Sequence, residues 1–156
     1  MRNVYRVLAY AVAAEVIVQA MAMVFAIAGL GKWVDNGGVF DKALMESDQS
    51  PFPEVVGFAI HGINGMMIVP AIALLLVISS FFAKIPGAVK WAALVLLLVI
   101  VQITLGLVGH AIPAVGALHG LNALLLFSVA IYTARRRRSA AVPGAVQPDE
   151  RLATPA

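Results

Sequence analysis

Four long apolar stretches divide the chain, each close to the roughly 20 residues needed to cross a hydrocarbon core of about 30 Å. They run from about Val7 to Leu30, Val55 to Phe82, Ala88 to Gly109 and Val115 to Thr133. Lipid offers backbone groups no hydrogen-bond partners, so the pattern predicts four helices and no strands. The third and fourth are joined by about five residues, His110 to Ala114, which makes them antiparallel neighbours. The first and second are separated by a longer loop over 31–54. There Val39, Phe40, Ala43 and Leu44 lie at helical spacing, which predicts a short amphipathic helix lying as a lid over the bundle and ended by Pro51 and Pro53. Arg2 and Arg6 give the first stretch the look of a signal peptide. It is too long for one and carries Glu15, so an uncleaved helix is expected.

Composition agrees with this pattern. Of 156 residues 62% are hydrophobic and 12% charged, too few charges to cover a soluble domain. The absence of cysteine excludes disulfides, thiolate metal sites and thiol catalysis. The net charge of +3 would suit a nucleic-acid partner, but the positions of the charges speak for a membrane instead. Arg2, Arg6, Lys84, Lys90, Arg135, Arg136, Arg137, Arg138 and Arg151 fall on one side of the expected membrane, and only Lys32 and Lys42 on the other. By the positive-inside rule both termini are cytoplasmic, in a bacterial cytoplasmic (inner) membrane. Trp33 stands where an outer aromatic anchor belongs, and Tyr5, Trp91 and Tyr132 at the inner interface. Arg135–Arg138 is a stop-transfer anchor, and 139–156, rich in Ala and Pro, is expected to be a disordered tail. The fold class is all-α: an integral membrane four-helix bundle over 1–138.

An internal repeat carries the functional information. Val16-Ile17-Val18-Gln19 recurs as Val99-Ile100-Val101-Gln102, and His61-Gly62-Ile63-Asn64 as His119-Gly120-Leu121-Asn122. The chain therefore reads as two helical hairpins of common pattern running the same way through the membrane, parallel repeats about an axis along its normal. His61 lies about six residues into the second helix and His119 about five into the fourth, so both imidazoles are expected about 7–9 Å below the outer boundary. Two histidines at one depth on helices so related can address a common central metal, as bis-histidine ligation of a b-type haem requires. Gly57 and Gly65 flank His61, and Gly116, Gly120 and Ala123 flank His119, leaving low helix faces for a porphyrin edge. Asn64 and Asn122, three residues past each histidine, share its face and could orient the ligands or meet the haem edge. The plainer alternative is that Gly, Ala, His and Asn serve tight packing and interhelical hydrogen bonds.

From Gln102 to about Arg135 the sequence resembles the last two helices of the haem A synthase-like membrane proteins, on Gln102, Leu105, Gly106, Pro113, Ala117, His119 and Ala123. The resemblance implies a four-helix bundle in which the histidines of the second and fourth helices ligate haem, and these fall on His61 and His119. It covers one half of such an enzyme, which has two bundles. An outer-loop cysteine pair found in some members is absent, and no one of Asp35, Asp41, Glu46, Asp48 or Glu54 matches the family's outer-loop acid.

Glu15 is the only carboxylate inside an expected span, placed toward the cytoplasmic half and within reach of Gln19. Gln19 and Gln102 are candidates for interhelical bonds, His110 for an interfacial residue, and Pro70 for a kink. Three functions fit. The first is a membrane b-type cytochrome for electron transfer or haem handling, with a quinone or redox protein as partner. The second is a haem-modifying or quinol-oxidising subunit completed by a homodimer or a larger membrane complex. The third is a haem-free accessory or small transport protein.

Overall fold

The computed structural model describes residues 1–47 and 49–136, so the expected tail over 139–156, with Arg137 and Arg138, lies outside the described residues. Helix α1 is Arg2–Asp35, α2 is Lys42–Met45, α3 is Val56–Ile63, α4 is Val69–Ser80, α5 is Ala88–Gly109 and α6 is Pro113–Arg135. A 3₁₀ turn, Pro53–Val55, leads into α3, and a π-turn, Asn64–Ile68, joins α3 to α4, so that Pro53–Ser80 crosses the molecule as one rod. Four helical segments are thus long and apolar enough to span a membrane, the make-up of a multi-pass membrane protein.

The bounds of α5 coincide with the expected ones because Gly87, at φ +70°, starts it and the turn before Pro113 ends it. The first helix is longer than expected at both ends. Hydropathy marks where lipid would begin, whereas neither Arg2–Arg6 nor Lys32–Asp35 contains a Gly or Pro to end the helix at that boundary. The predicted lid is reduced to one turn. Asp41 caps α2 by accepting from Leu44 N–H at 2.8 Å, yet Val39, Phe40 and Met45 are exposed. No residue of α2 is buried, so it covers nothing. What closes that end is the long first helix itself: Trp33 meets Phe52 at 5.7 Å between ring centroids, and Gly38 lies against the Trp33 indole.

The four rods form a square. α1 packs against α4 and α6, α5 packs against the same two, and the rod containing α3 and α4 stands diagonally opposite α6. The ends of the square differ. Where the start of α1 meets the end of α6 (the termini end), Tyr5 OH donates to Ala88 O, Arg6 Nε to Ala134 O (3.0 Å) and an Arg136 guanidinium N–H to Pro86 O (2.8 Å). The Arg136 guanidinium also stacks over Trp91 and Tyr132, 5.5 Å from each ring. Above this termini end lies the buried core. It is made largely of small residues (Ala9, Ala13, Ala73, Ala88, Ala92, Ala130, Ala134) filled in by Val12, Leu76, Val95, Val99 and Leu126. The large aliphatics Val24, Phe25, Leu74, Leu97, Leu121 and Leu124 point outward instead. Small residues inside and large ones outside is how helices associate in lipid, where close backbone approach replaces the hydrophobic effect.

Toward the opposite, loop end, α3 packs on α1 but makes little contact with α5 or α6. Gly57 is the point of closest approach. A Cβ there would press on the Ala22 carbonyl and lie 3.0 Å from Ala26 Cβ. Gly57→Ala should therefore destabilise the bundle by about 1–3 kcal/mol through overpacking. Gly31→Ala, whose added methyl meets nothing within 4 Å, should be neutral or stabilising by up to about 1 kcal/mol. Unfolding followed by circular dichroism in detergent would measure both, and equal effects would contradict this packing.

Candidate functional site

The polar side chains of the spans converge at mid-bundle, on the loop side of the small-residue core. His61 on α3 and His119 on α6 face each other across the diagonal, with ring centroids 6.0 Å apart and planes inclined by 59°. Both are half-buried. Each leans on the other helix of its own hairpin. His119 Nδ1 lies 2.9 Å from the Gln102 backbone carbonyl, and His61 Nδ1 3.2 Å from the Gln19 backbone carbonyl. A helical carbonyl can accept a second bond because it has a second lone pair. A carbonyl can only accept, so it fixes the proton on Nδ1 and leaves the Nε2 lone pair free.

Glycines make these contacts reachable. The His119 ring lies against Gly106, where a Cβ would come within 3.1 Å of its Cε1. Gly116 meets Gly109 backbone to backbone, drawing α6 onto α5. In the other hairpin Gly57 draws α3 onto α1, and Gly65 faces the Gln19 amide, with a Cβ there 3.3 Å from Gln19 Oε1. Gly57 and Gly116 lie where the neighbouring helix comes close, and Gly65 lies against the Gln19 side chain. Near the histidines, the glycines that border open space are Gly62 and Gly120, each directly after a histidine.

Beyond the histidines the two hairpins make matching contacts with one substitution. Asn122 Nδ2 donates to Gln102 Oε1 (2.6 Å) and to the Leu98 carbonyl (3.0 Å), and Asn122 is buried. Asn64 Nδ2 donates to Glu15 Oε2 at 2.6 Å. The Gln19 side chain satisfies its neighbours when its amide oxygen accepts from Gly65 N–H (3.0 Å) and Asn64 Nδ2 (3.1 Å). Its amide nitrogen then faces the His61 carbonyl (2.9 Å) and His61 Nδ1 (2.8 Å). His61 Nδ1 consequently has a choice: it donates to the Gln19 carbonyl or accepts from the Gln19 amide. Here the rod widens into the π-turn, where Val69 N–H reaches back to Asn64 O, five residues away.

Glu15 therefore belongs to the site, through Asn64, rather than standing apart from the histidines as its place in the sequence implied. The π-turn and the use of the Gln19 and Gln102 carbonyls were not expected. The duplicated Val-Ile-Val-Gln segment was the one sequence signal for the latter. His110 is exposed at the end of α5 and takes no part. Pro70 is the second residue of α4, directly after the π-turn.

Chemically, two imidazoles bound through Nε2 to one metal at about 2.0 Å would hold their centroids roughly 6.3 Å apart, which the facing pair nearly matches. Among the described residues no group of three or more His, Asp or Glu is arranged to hold a metal ion. The chain thus offers two ligands and no closed coordination sphere.

The buried amide contacts should contribute to stability as interhelical bonds do in membranes. Asn122→Leu is expected to cost about 0.6–1.7 kcal/mol. Ser128→Ala, which removes only an exposed bond to Leu124 O, should stay within about 0.5 kcal/mol. Unfolding in detergent would report both, and an unaffected Asn122→Leu protein would remove the amide pair from the list of stabilising contacts. The chain matches no protein-family model, no curated protein and no solved structure.

Proposed function

We propose that the chain is a membrane b-type haem-binding protein in which His61 and His119 are the axial ligands, serving electron transfer or haem handling. The observation that carries this reading is the facing pair of imidazoles, 6.0 Å apart on diagonal helices. Its second support is the ligand count. Two protein ligands are too few for an ordinary four-coordinate structural metal site, but they suit an iron whose four remaining positions come from a porphyrin. In this role the Gln102 carbonyl holds the His119 ring in the Nδ1–H form, and His61 takes the same form when it donates to the Gln19 carbonyl, as partners of metal-bound histidines do. The glycines Gly62 and Gly120 leave the flanks beside the ligands low. Haem, when bound, would supply one-electron redox chemistry at mid-bundle.

The same reading treats the two hairpins as parallel repeats, supported by the matched Gln–His–Asn contacts. It takes the termini end as cytoplasmic and the membrane as the cytoplasmic membrane of a bacterium. The support is the gathering of Arg2, Arg6, Lys84, Lys90, Arg135 and Arg136 at that end, against Lys32 and Lys42 at the other. The resemblance to one half of a haem A synthase-like protein gains weight from the contact among Gln102, Gly106 and His119. Three of the residues that carry the resemblance meet there at one point. A quinone or a redox protein is the electron partner this implies, and pairing of two bundles in a homodimer would be the route to a haem-modifying or quinol-oxidising enzyme.

A second reading, a haem-free accessory or small transport protein, draws on the close contacts at Gly57 and Gly116, which are those of ordinary helix packing. Absorption spectra separate the two. Purified in detergent after expression with ample haem, the protein should show a Soret band and, after dithionite, sharp alpha and beta bands. His61→Ala and His119→Ala should each abolish the low-spin spectrum. A colourless wild-type protein would leave the second reading.

A further inference from the structure

Glu15 is the one carboxylate inside the spans, half-buried, and its partner is the Asn64 amide at 2.6 Å. Among the described residues no cation lies within ion-pair distance of it; the ion pair there is Lys42–Glu46, at 3.5 Å in the exposed loop. From Glu15 a chain of polar contacts runs through Asn64 Nδ2 to the Gln19 amide, which lies beside His61. Its place is one helical turn along α1 from Gln19, about 6 Å. The other hairpin has no counterpart, because there the Leu98 backbone carbonyl receives the asparagine.

A carboxylate in an apolar bundle is costly unless it is balanced by positive charge or takes up a proton. The titratable groups on the elements packed against α1 are few. They are His61 on α3, His119, Tyr132 and Arg135 on α6, and Glu54, which lies over Gly29 at the loop end; α4 has none. Along α1 itself the nearest are Tyr10 and Arg6, five and nine residues away toward the N-terminus. No permanent cation faces Glu15. An oxidised haem iron held by two neutral imidazoles carries one net positive charge at its centre, and the reduced form carries none. We infer that Glu15 is the group that accepts a proton when the haem site is reduced, so that each electron entering from a quinol-class donor is matched by one proton from the medium. Glu15 as carboxylate balances the oxidised site, and Glu15 as carboxylic acid suits the reduced one. The inference rests on the haem reading above.

Redox titrations of the intact protein in detergent, over a series of pH values, test it. In the wild type the midpoint potential falls as pH rises, and redox difference infrared spectra show a protonated carboxyl band in the reduced state. In Glu15→Gln, which keeps an acceptor for Asn64, both the slope and the band are lost while the Soret and alpha bands persist. Glu15→Leu, which copies the residue at the matching place in the other hairpin, gives the same flat profile and serves if the first variant folds poorly. Haem bound in all three with identical pH slopes overturns the role of Glu15 and leaves the haem reading standing. A colourless protein overturns both.

Discussion

A polar group inside an apolar bundle has no water to bond to, and its partners must come from another helix. In this structure that requirement is met largely by backbone. The His119 ring is fixed by the Gln102 carbonyl and Asn122 by the Leu98 carbonyl as well as by the Gln102 side chain. These carbonyls keep their intrahelical role and accept a second bond with the free lone pair. The donors and acceptors of the site are therefore mounted on the stiffest parts of the molecule. That is the condition for holding two rings at a fixed spacing without a rigid loop or a disulfide.

This use of backbone explains where the glycines are. A second bond to a helical carbonyl demands that the neighbouring helix come very close, and a β-carbon in the wrong place forbids it. Gly57 against Ala22, Gly116 against Gly109, and Gly106 beneath His119 all lie at such approaches. Alanines play the same part below, where the small-residue core joins α1, α4, α5 and α6 near the termini end. The bundle is thus closed tightly by small residues in one half. It is held in the other half through a few polar contacts, with α3 leaning on α1 and standing away from α5 and α6.

Much of this architecture was legible in the sequence, for identifiable reasons. Four apolar stretches admit only helices in lipid, and short connections force antiparallel neighbours, so the number of rods and their general course followed. The pairing of His61 with His119 was legible because the His-Gly-x-Asn pattern occurs twice. What stayed hidden has no side-chain signature. A carbonyl acting as a second acceptor looks the same at every residue, so Gln19 and Gln102 could be named but not their backbone role. The π-turn is likewise silent in Asn64–Ile68, because the Gln19 amide that bonds around its start arrives from another helix. The expected lid failed for the opposite reason. Val39, Phe40, Ala43 and Leu44 have the right spacing, but a helix of one turn is too short to hold an apolar face against a surface.

The two hairpins match in their glutamines, histidines and asparagines and differ in what receives the asparagine. Leu98 offers only its carbonyl to Asn122, whereas Glu15 offers a carboxylate to Asn64. The hairpin with the carboxylate is also the one with the π-turn and the looser packing around α3. An extra polar group needs extra bonding capacity near it. A widened turn supplies it by bringing the Gly65 N–H and the His61 carbonyl within reach of Gln19, which in turn reaches Asn64. The hairpin that departs from regular α-helix is thus also the one that has a half-buried carboxylate to accommodate.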